Sequence, residues 1–215
     1  MIEISEQDFK FIEKVVYINL ANRIDRREHM EQMTNIFGDK VIRFEAIEMK
    51  PGCIGCSKSH IKVLEIAIQN NWRNVLILED DVGWNYKEEA YECFKNLTNN
   101  VFDVILLGGF RSKFDKYTYK LSNALGTSSY LVNGHYFQTL LNKQQSALSE
   151  LLKNREHMSA SQCRITSQFH CDRCWESLME KDSWFIVIPN LMYQLDGYSD
   201  INKTNRTNFK QMFIL

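Results

Sequence analysis

The chain has 215 residues, enough for one sizeable core and short for two. Its 44% apolar and 25% charged residues, with only 2 Pro and 9 Gly, exclude disordered and collagen-like classes. A formal net charge of -1 leaves no broad cationic field, so nucleic acid is not an expected partner, and the acidic, polar start MIEISEQDFKFIEK lacks the pattern of a secretory signal. No stretch approaches about 20 consecutive apolar residues; a cytoplasmic protein without a transmembrane segment is expected, its six cysteines reduced.

In chain order, the apolar run Val15 to Leu20 predicts a strand, the charged stretch Arg23 to Met33 a helix, and Val41 to Phe44 a second strand. After a Pro51-Gly52 break, Ser57 to Gln69 sets Ile61, Leu64 and Ile68 at helical spacing, and Asn74 to Leu78 is an apolar strand ending in carboxylates. A helix is predicted from about Glu88 to Leu97. Phe102 to Leu107 reads as a buried strand closed by Gly108-Gly109, Ser128 to Val132 as a strand, and Tyr136 to Leu152 as a helix. Trp184 to Ile188 is the last strong strand, stopped by Pro189, and the stretch from Gly197 reads as a loop or tail whose tip, Met212 to Leu215, docks on the body. Apolar strands alternating with helices predict a single α/β domain over residues 1–215, with a mostly parallel central sheet flanked by helices and ligands at the carboxyl ends of strands.

Glu79, Asp80 and Asp81 stand where that rule places a site. Adjacent carboxylates repel one another unless a cation or strong donors compensate, and an extended strand turns Glu79 and Asp81 to one side and Asp80 to the other. Hard oxygen ligands suit Mg²⁺ or Mn²⁺, which keep positions for phosphate oxygens, so a diphosphate is the natural third party. The plainer reading is a solvated turn after a strand. A phosphate-accepting receiver domain, whose acidic pair follows its first strand, does not fit this order.

Asn19, Arg23, Asp25 and Arg26 follow the first strand and suit either a nucleotide grip or a charged helix face. Gly52 and Gly55 allow a tight turn before a helix whose first N–H groups, near Ser57, Ser59 and His60, would receive phosphate; Ser57 equally suits a helix cap. Two CxxC pairs, Cys53 with Cys56 and Cys171 with Cys174, have the ligand types of a four-thiolate zinc site, although they lie far apart in the chain.

Taken as an ordered set, Tyr17-Ile18-Asn19-Leu20, Arg23 to Arg27, Gly52 to His60 and Leu76 to Val82 resemble glycosyltransferase family 25, with weaker similarity through Phe102 to Gly109, Ser129 to Val132 and Gln194 to Asp200. That family includes bacterial lipooligosaccharide galactosyltransferases and collagen hydroxylysine galactosyltransferases. The resemblance implies a Rossmann-like GT-A fold, a UDP-sugar donor, inversion at the anomeric carbon and a divalent metal. Its nucleotide-binding part would span about residues 1–110 and its acceptor-side part about 111–215. On this basis Asn19, Leu20, Arg23, Arg26, Ser59, His60 and Asp80 are expected at the donor, Glu79, Asp81 and His170 at the metal, and Asp172 as general base beside the catalytic Asp81. The acceptor would be a glycan, a glycolipid or a hydroxylysine-type hydroxyl. Ala21, Asn22 and Cys53 replace the Asp, Arg and Glu often found in the family. A different class of function, a catalytically silent nucleotide-sugar or glycan-binding module of the same fold, fits the same residues.

Overall fold

The alternation of apolar runs and amphipathic stretches becomes, in the computed structural model, a three-layer α/β arrangement; residues 6–154, 167–201 and 203–207 are described. The elements are β1 (Lys14–Asn19), α1 (Ile24–Thr34), β2 (Val41–Glu45), α2 (Gly52–Gln69), β3 (Asn74–Glu79), β4 (Val82–Trp84), α3 (Glu88–Thr98), β5 (Val104–Phe114) and β6 (Leu121–Asn133), followed by α4 (Phe137–Lys153), α5 (Glu176–Lys181), β7 (Trp184–Ile186), β8 (Met192–Gln194), β9 (Gly197–Ser199) and β10 (Thr204–Arg206).

Among the described residues, one six-stranded sheet runs β2-β1-β3-β6-β5-β7. β1 pairs in parallel with β2 and β3, and β5 with β7, whereas β6 is antiparallel to both β3 and β5. Connection length explains the exception. Helices or long crossovers precede the parallel strands, but only residues 115–120 join β5 to β6, too few for a crossover, so the chain must reverse. Asp115 holds that reversal by accepting from the Tyr117 and Thr118 amides at 3.0 and 2.8 Å.

The strand pleat divides the core in two. Val16, Ile18, Val75, Ile77, Val104 and Leu106 face α2 and α4, with the fully buried Trp175 and Trp184 beside them. Val15, Tyr17, Leu76, Leu78, Ile105 and Leu107 face Met30 of α1, Phe94 of α3 and an aromatic cluster around Phe9, Phe37 and Trp84. Each buried indole removes about 150–250 Å² from water, at most about 4–6 kcal/mol by area. This two-sided burial is why the strands read as continuous apolar runs.

Five boundaries differ from expectation, the first being β6, which begins at Leu121 instead of Ser128. β5 does not stop at Gly108-Gly109 but continues to Phe114, because the glycines serve packing: a Cβ at Gly108 would lie 2.4 Å from the Met192 carbonyl of β8. α2 starts at Gly52, five residues before Ser57, so Ser57 is a buried mid-helix residue and no cap. Gly55 lies within the helix, where its missing Cβ admits the Ile47 carbonyl, 2.3 Å from where that Cβ would be. The last core strand ends at Ile186, and the stretch from Gly197 contains the antiparallel β9–β10 ribbon instead of a plain loop. The tip at 212–215 lies outside the described residues. No helix among the described residues is long and apolar enough to cross a membrane.

Candidate functional site

β1 and β3 are parallel neighbours, so their carboxyl ends, Asn19 and Glu79, reach the same edge of the sheet. A cavity of about 210 Å³ opens there, lined by residues of the β1–α1 connection, α2 and the acidic triplet, and walled by β8 and the β9–β10 ribbon. Of the expected site residues, Leu20, Arg26, Ser59, His60, Glu79, Asp80 and Asp81 line it. Asn19 stands directly behind. Arg23, His170 and Asp172 are not among its lining residues.

β3 ends at Glu79 and the chain turns through Asp80 and Asp81. The carboxylates are therefore not arranged as an extended strand would place them. Asp80 and Asp81 both meet Arg26, whose Nη1 donates to Asp80 Oδ1 at 2.6 Å and to Asp81 Oδ2 at 3.3 Å. Glu79 faces the other way and accepts a short hydrogen bond from the Thr127 hydroxyl.

The charged side is densely tied. Asn19 Nδ2 donates to Asp80 Oδ2 at 2.8 Å while Arg43 Nε donates to Asn19 Oδ1 at 3.0 Å, so the buried amide orients the carboxylate. Gln194 Nε2 donates to both Asp81 oxygens at 3.1 and 3.0 Å, and the Leu195 amide donates to the Asp81 carbonyl at 2.6 Å. Arg26 Nη2 donates to the Tyr198 carbonyl at 2.8 Å, fixing the guanidinium against β9. Arg23 pairs with Asp200 at 2.6 Å and, through its fork, with Asp25, whose carboxyl it holds down to about 2. Despite Arg26, burial and then the charge on Glu79 push the Asp81 carboxyl up to about 7. The site carries more negative charge than its own cations neutralise.

The opposite side is thiol and imidazole. Cys56 and His60 lie one turn apart on α2, and Cys171 approaches them from the segment before α5, with Cys56 Sγ 3.5 Å from Cys171 Sγ. Either thiol can donate in this contact; it lowers the Cys171 thiol and, together with burial, raises that of Cys56. His60 Nδ1 is 2.7 Å from Tyr130 Oη, and Nε2 is 3.6 Å from Glu79 Oε1. The four-thiolate grouping does not form: Cys53 packs with Ile54 and Leu151, and Cys174 belongs to the main core cluster. Ser59 donates to the Gly55 carbonyl at 2.8 Å and accepts from the Ile47 amide at 2.8 Å, the second and third turns of α2 offering no free helix start near it. The helix start that does meet the cavity is Gly52, against which Ile201 packs.

Asp172 stands within electrostatic reach of this side; burial and then the Glu79 charge raise its carboxyl. Burial and the neighbouring Arg173 lower His170. The contributions of Thr127, Tyr130 and Gln194 carry no sequence signal of their own, since hydroxyls and amides alternate with apolar residues in many strands; only the weaker Ser129 to Val132 and Gln194 to Asp200 similarities touched two of them.

A sequence profile described as glycosyltransferase family 25 (LPS biosynthesis protein) matches residues 48–160. A Drosophila melanogaster protein named "Glycosyltransferase 25 family member" is 25% identical over 133 residues, covering 47% of this chain and 22% of that protein. The chain thus spans about a fifth of the length of that relative. Among solved structures, the mannose-1-phosphate geranyltransferase of Thermus thermophilus aligns at a TM-score of 0.44 and 11% identity, over 84% of this chain and 61% of that one. A glycosyltransferase involved in glycosylating the major capsid of PBCV-1 aligns at 0.40 and 12%, over 81% of this chain and 92% of that one.

Proposed function

The chain belongs to glycosyltransferase family 25, and we propose that it moves a hexose, galactose or glucose, from a UDP-sugar to an acceptor hydroxyl with inversion, assisted by Mn²⁺ or Mg²⁺. The observation that carries this reading is the cavity at the carboxyl ends of β1 and β3, where the Asp80 and Asp81 carboxylates converge beside Arg26 and where a divalent cation would let a diphosphate approach them.

The donor set fits such an ion. Asp80 and Asp81 offer hard oxygens on one side of the triplet and would hold the ion there. When bound, the cation holds the diphosphate and stabilises its charge as it leaves. Asn19 with Arg43, and Gln194, keep the two carboxylates aimed, so little reorganisation accompanies the reaction. Leu20, Arg23, Arg26 and Ser59 are the residues of this reading that hold the nucleotide and its phosphates. Inverting attack needs a base facing the acceptor hydroxyl. Asp172, whose carboxyl burial raises, is the group proposed to take that proton, and its raised basicity supports the assignment. Glu79, whose carboxylate faces the other flank, supports the ion through charge alone, and His170 lies outside the residues that line the cavity. Glycan, glycolipid and hydroxylysine-type hydroxyls are the acceptor classes.

The test is UDP release from a panel of UDP-hexoses, with and without Mn²⁺, in the presence of varied acceptor hydroxyls. Metal-dependent release by the wild type, and a loss of about 10²-fold or more in Asp81→Asn, is the expected result. Donor binding without release across the panel would instead identify a nucleotide-sugar-binding module, and unimpaired release by Asp81→Asn would remove the metal assignment.

A further inference from the structure

We propose that Cys56, His60 and Cys171 form a second metal site, one that takes a borderline-soft divalent cation, Zn²⁺, and clamps α2 to the segment preceding α5. The inference is independent of the sugar-transfer reading, because the donor chemistry is the opposite of that at Asp80 and Asp81.

Geometry comes first. The three ligand atoms lie within 4.8 Å of one another, and among the described residues this is the group of three or more such side chains so brought together. Zn–S and Zn–N bonds of about 2.3 and 2.0–2.1 Å in a tetrahedron require ligand atoms about 3.6–3.8 Å apart. The two sulfurs, 3.5 Å apart, are already near that spacing. Cys56 and His60 are separated by four residues on a helix, which puts both on one face.

A second observation points to a missing partner. His60 is 1% exposed, and its Nε2 makes no hydrogen bond among the described residues. A buried polar atom left so is costly. Tyr130 Oη at 2.7 Å can accept from Nδ1–H, and the tautomer this selects directs the Nε2 lone pair toward the sulfurs. Such an orienting partner is what metal-bound histidines ordinarily have. The fourth position looks toward Glu79, whose Oε1 is 3.6 Å from Nε2 and shares Thr127 with Cys171 Sγ, the latter at 3.8 Å from the hydroxyl. Binding replaces the thiol protons of Cys56 and Cys171 by the metal and releases them to solvent, while His60 binds as the neutral ring.

The test uses the untagged chain purified under reducing conditions and dialysed against a weak chelator. Elemental analysis is expected to find about one zinc per chain, and metal-free protein titrated with Zn²⁺ to release about two protons. Titration with Co²⁺ should give thiolate-to-cobalt charge transfer with the visible bands of a tetrahedral ion, a signal that does not depend on any variant folding. Cys56→Ser and Cys171→Ser should lose the zinc and the charge-transfer band, while Cys53→Ser and Cys174→Ser keep both. Wild-type protein with no zinc and no cobalt–thiolate band overturns the proposal, as does a Cys56–Cys171 disulfide in metal-free protein that zinc does not displace under reducing conditions. Zinc retained in Cys56→Ser and Cys171→Ser but lost in Cys53→Ser and Cys174→Ser also overturns it.

Discussion

The two flanks of the β3 terminus use the same strand end for unlike purposes. On one, Asp80 and Asp81 sit in a lattice of charge-assisted hydrogen bonds from Arg26, Asn19 and Gln194. On the other, Glu79 meets a hydroxyl, an imidazole and two thiols that have few partners beyond one another. The difference teaches that three consecutive acids need not act as one cluster: ending the strand at Glu79 is enough to assign them to opposite sides. A hard cation is expected to compete with Arg26 on the first flank, and a softer one to meet thiols and an imidazole in place of an arginine on the second.

The largest effect expected from breaking the contrast is at Arg26. Arg26→Gln leaves two poorly exposed carboxylates without their cation and should cost about 3–5 kcal/mol at neutral pH, read from urea denaturation midpoints. Because Mn²⁺ and Arg26 serve the same charges, added Mn²⁺ should raise the variant's midpoint more than the wild type's; equal shifts would separate the metal from these two carboxylates.

On the thiol flank the sensitive element is backbone. Gly55→Ala drives a methyl against the Ile47 carbonyl, 2.3 Å from the position a Cβ would take, and is expected to cost about 1–3 kcal/mol by displacing the helix start that carries Cys56 and His60. The same denaturation series measures it, and an unchanged midpoint would mean that the 46–55 segment gives way freely.

A smaller, graded effect should appear with pH. The folded Asp81 carboxyl, at about 7, holds its proton more tightly than the ordinary value of 3.8. Between those values the folded state binds the extra proton, so this group's contribution makes stability fall as pH rises, by at most about 1.4 kcal/mol per pH unit, and level off beyond the window. Asp81→Asn should flatten that part of the profile. Stabilisation by Mn²⁺ should run the other way and grow from pH 5 to 8, since the ion binds the ionised form. A thermal-shift series across that range separates the two slopes.

Strands β1 and β3 and helices α3 and α4 were legible because each has a clear apolar pattern, and two-sided burial writes itself into sequence as unbroken apolar runs, whereas α1 was legible from its charged helix formers. The glycines were harder. Gly55 and Gly108 have the local signature of breaks, yet their reason for being glycine is a carbonyl contributed by a distant or opposing segment. The ordered motif blocks pointed to a candidate site, and Leu20, Arg26 and Glu79 to Asp81 from two of those blocks line one cavity. Pairings such as Gln194 with Asp81, or Cys56 with Cys171 across 115 residues, follow from topology alone. No local period reports them, which is why the CxxC spacing suggested four ligands where the fold gathers two of them and a histidine.

The β9–β10 ribbon gives the cavity a place in time as well as in space. Residues 14–133 contain five of the six strands of the main sheet, but Gln194, the Tyr198 carbonyl and Asp200, which hold Asp81, Arg26 and Arg23, come near the far end of the described chain. On a ribosome, a nascent chain that has emerged through β6 already exposes the acidic turn and its arginines without these anchors. Until about sixty more residues follow, the sheet has an edge but not yet a finished cavity.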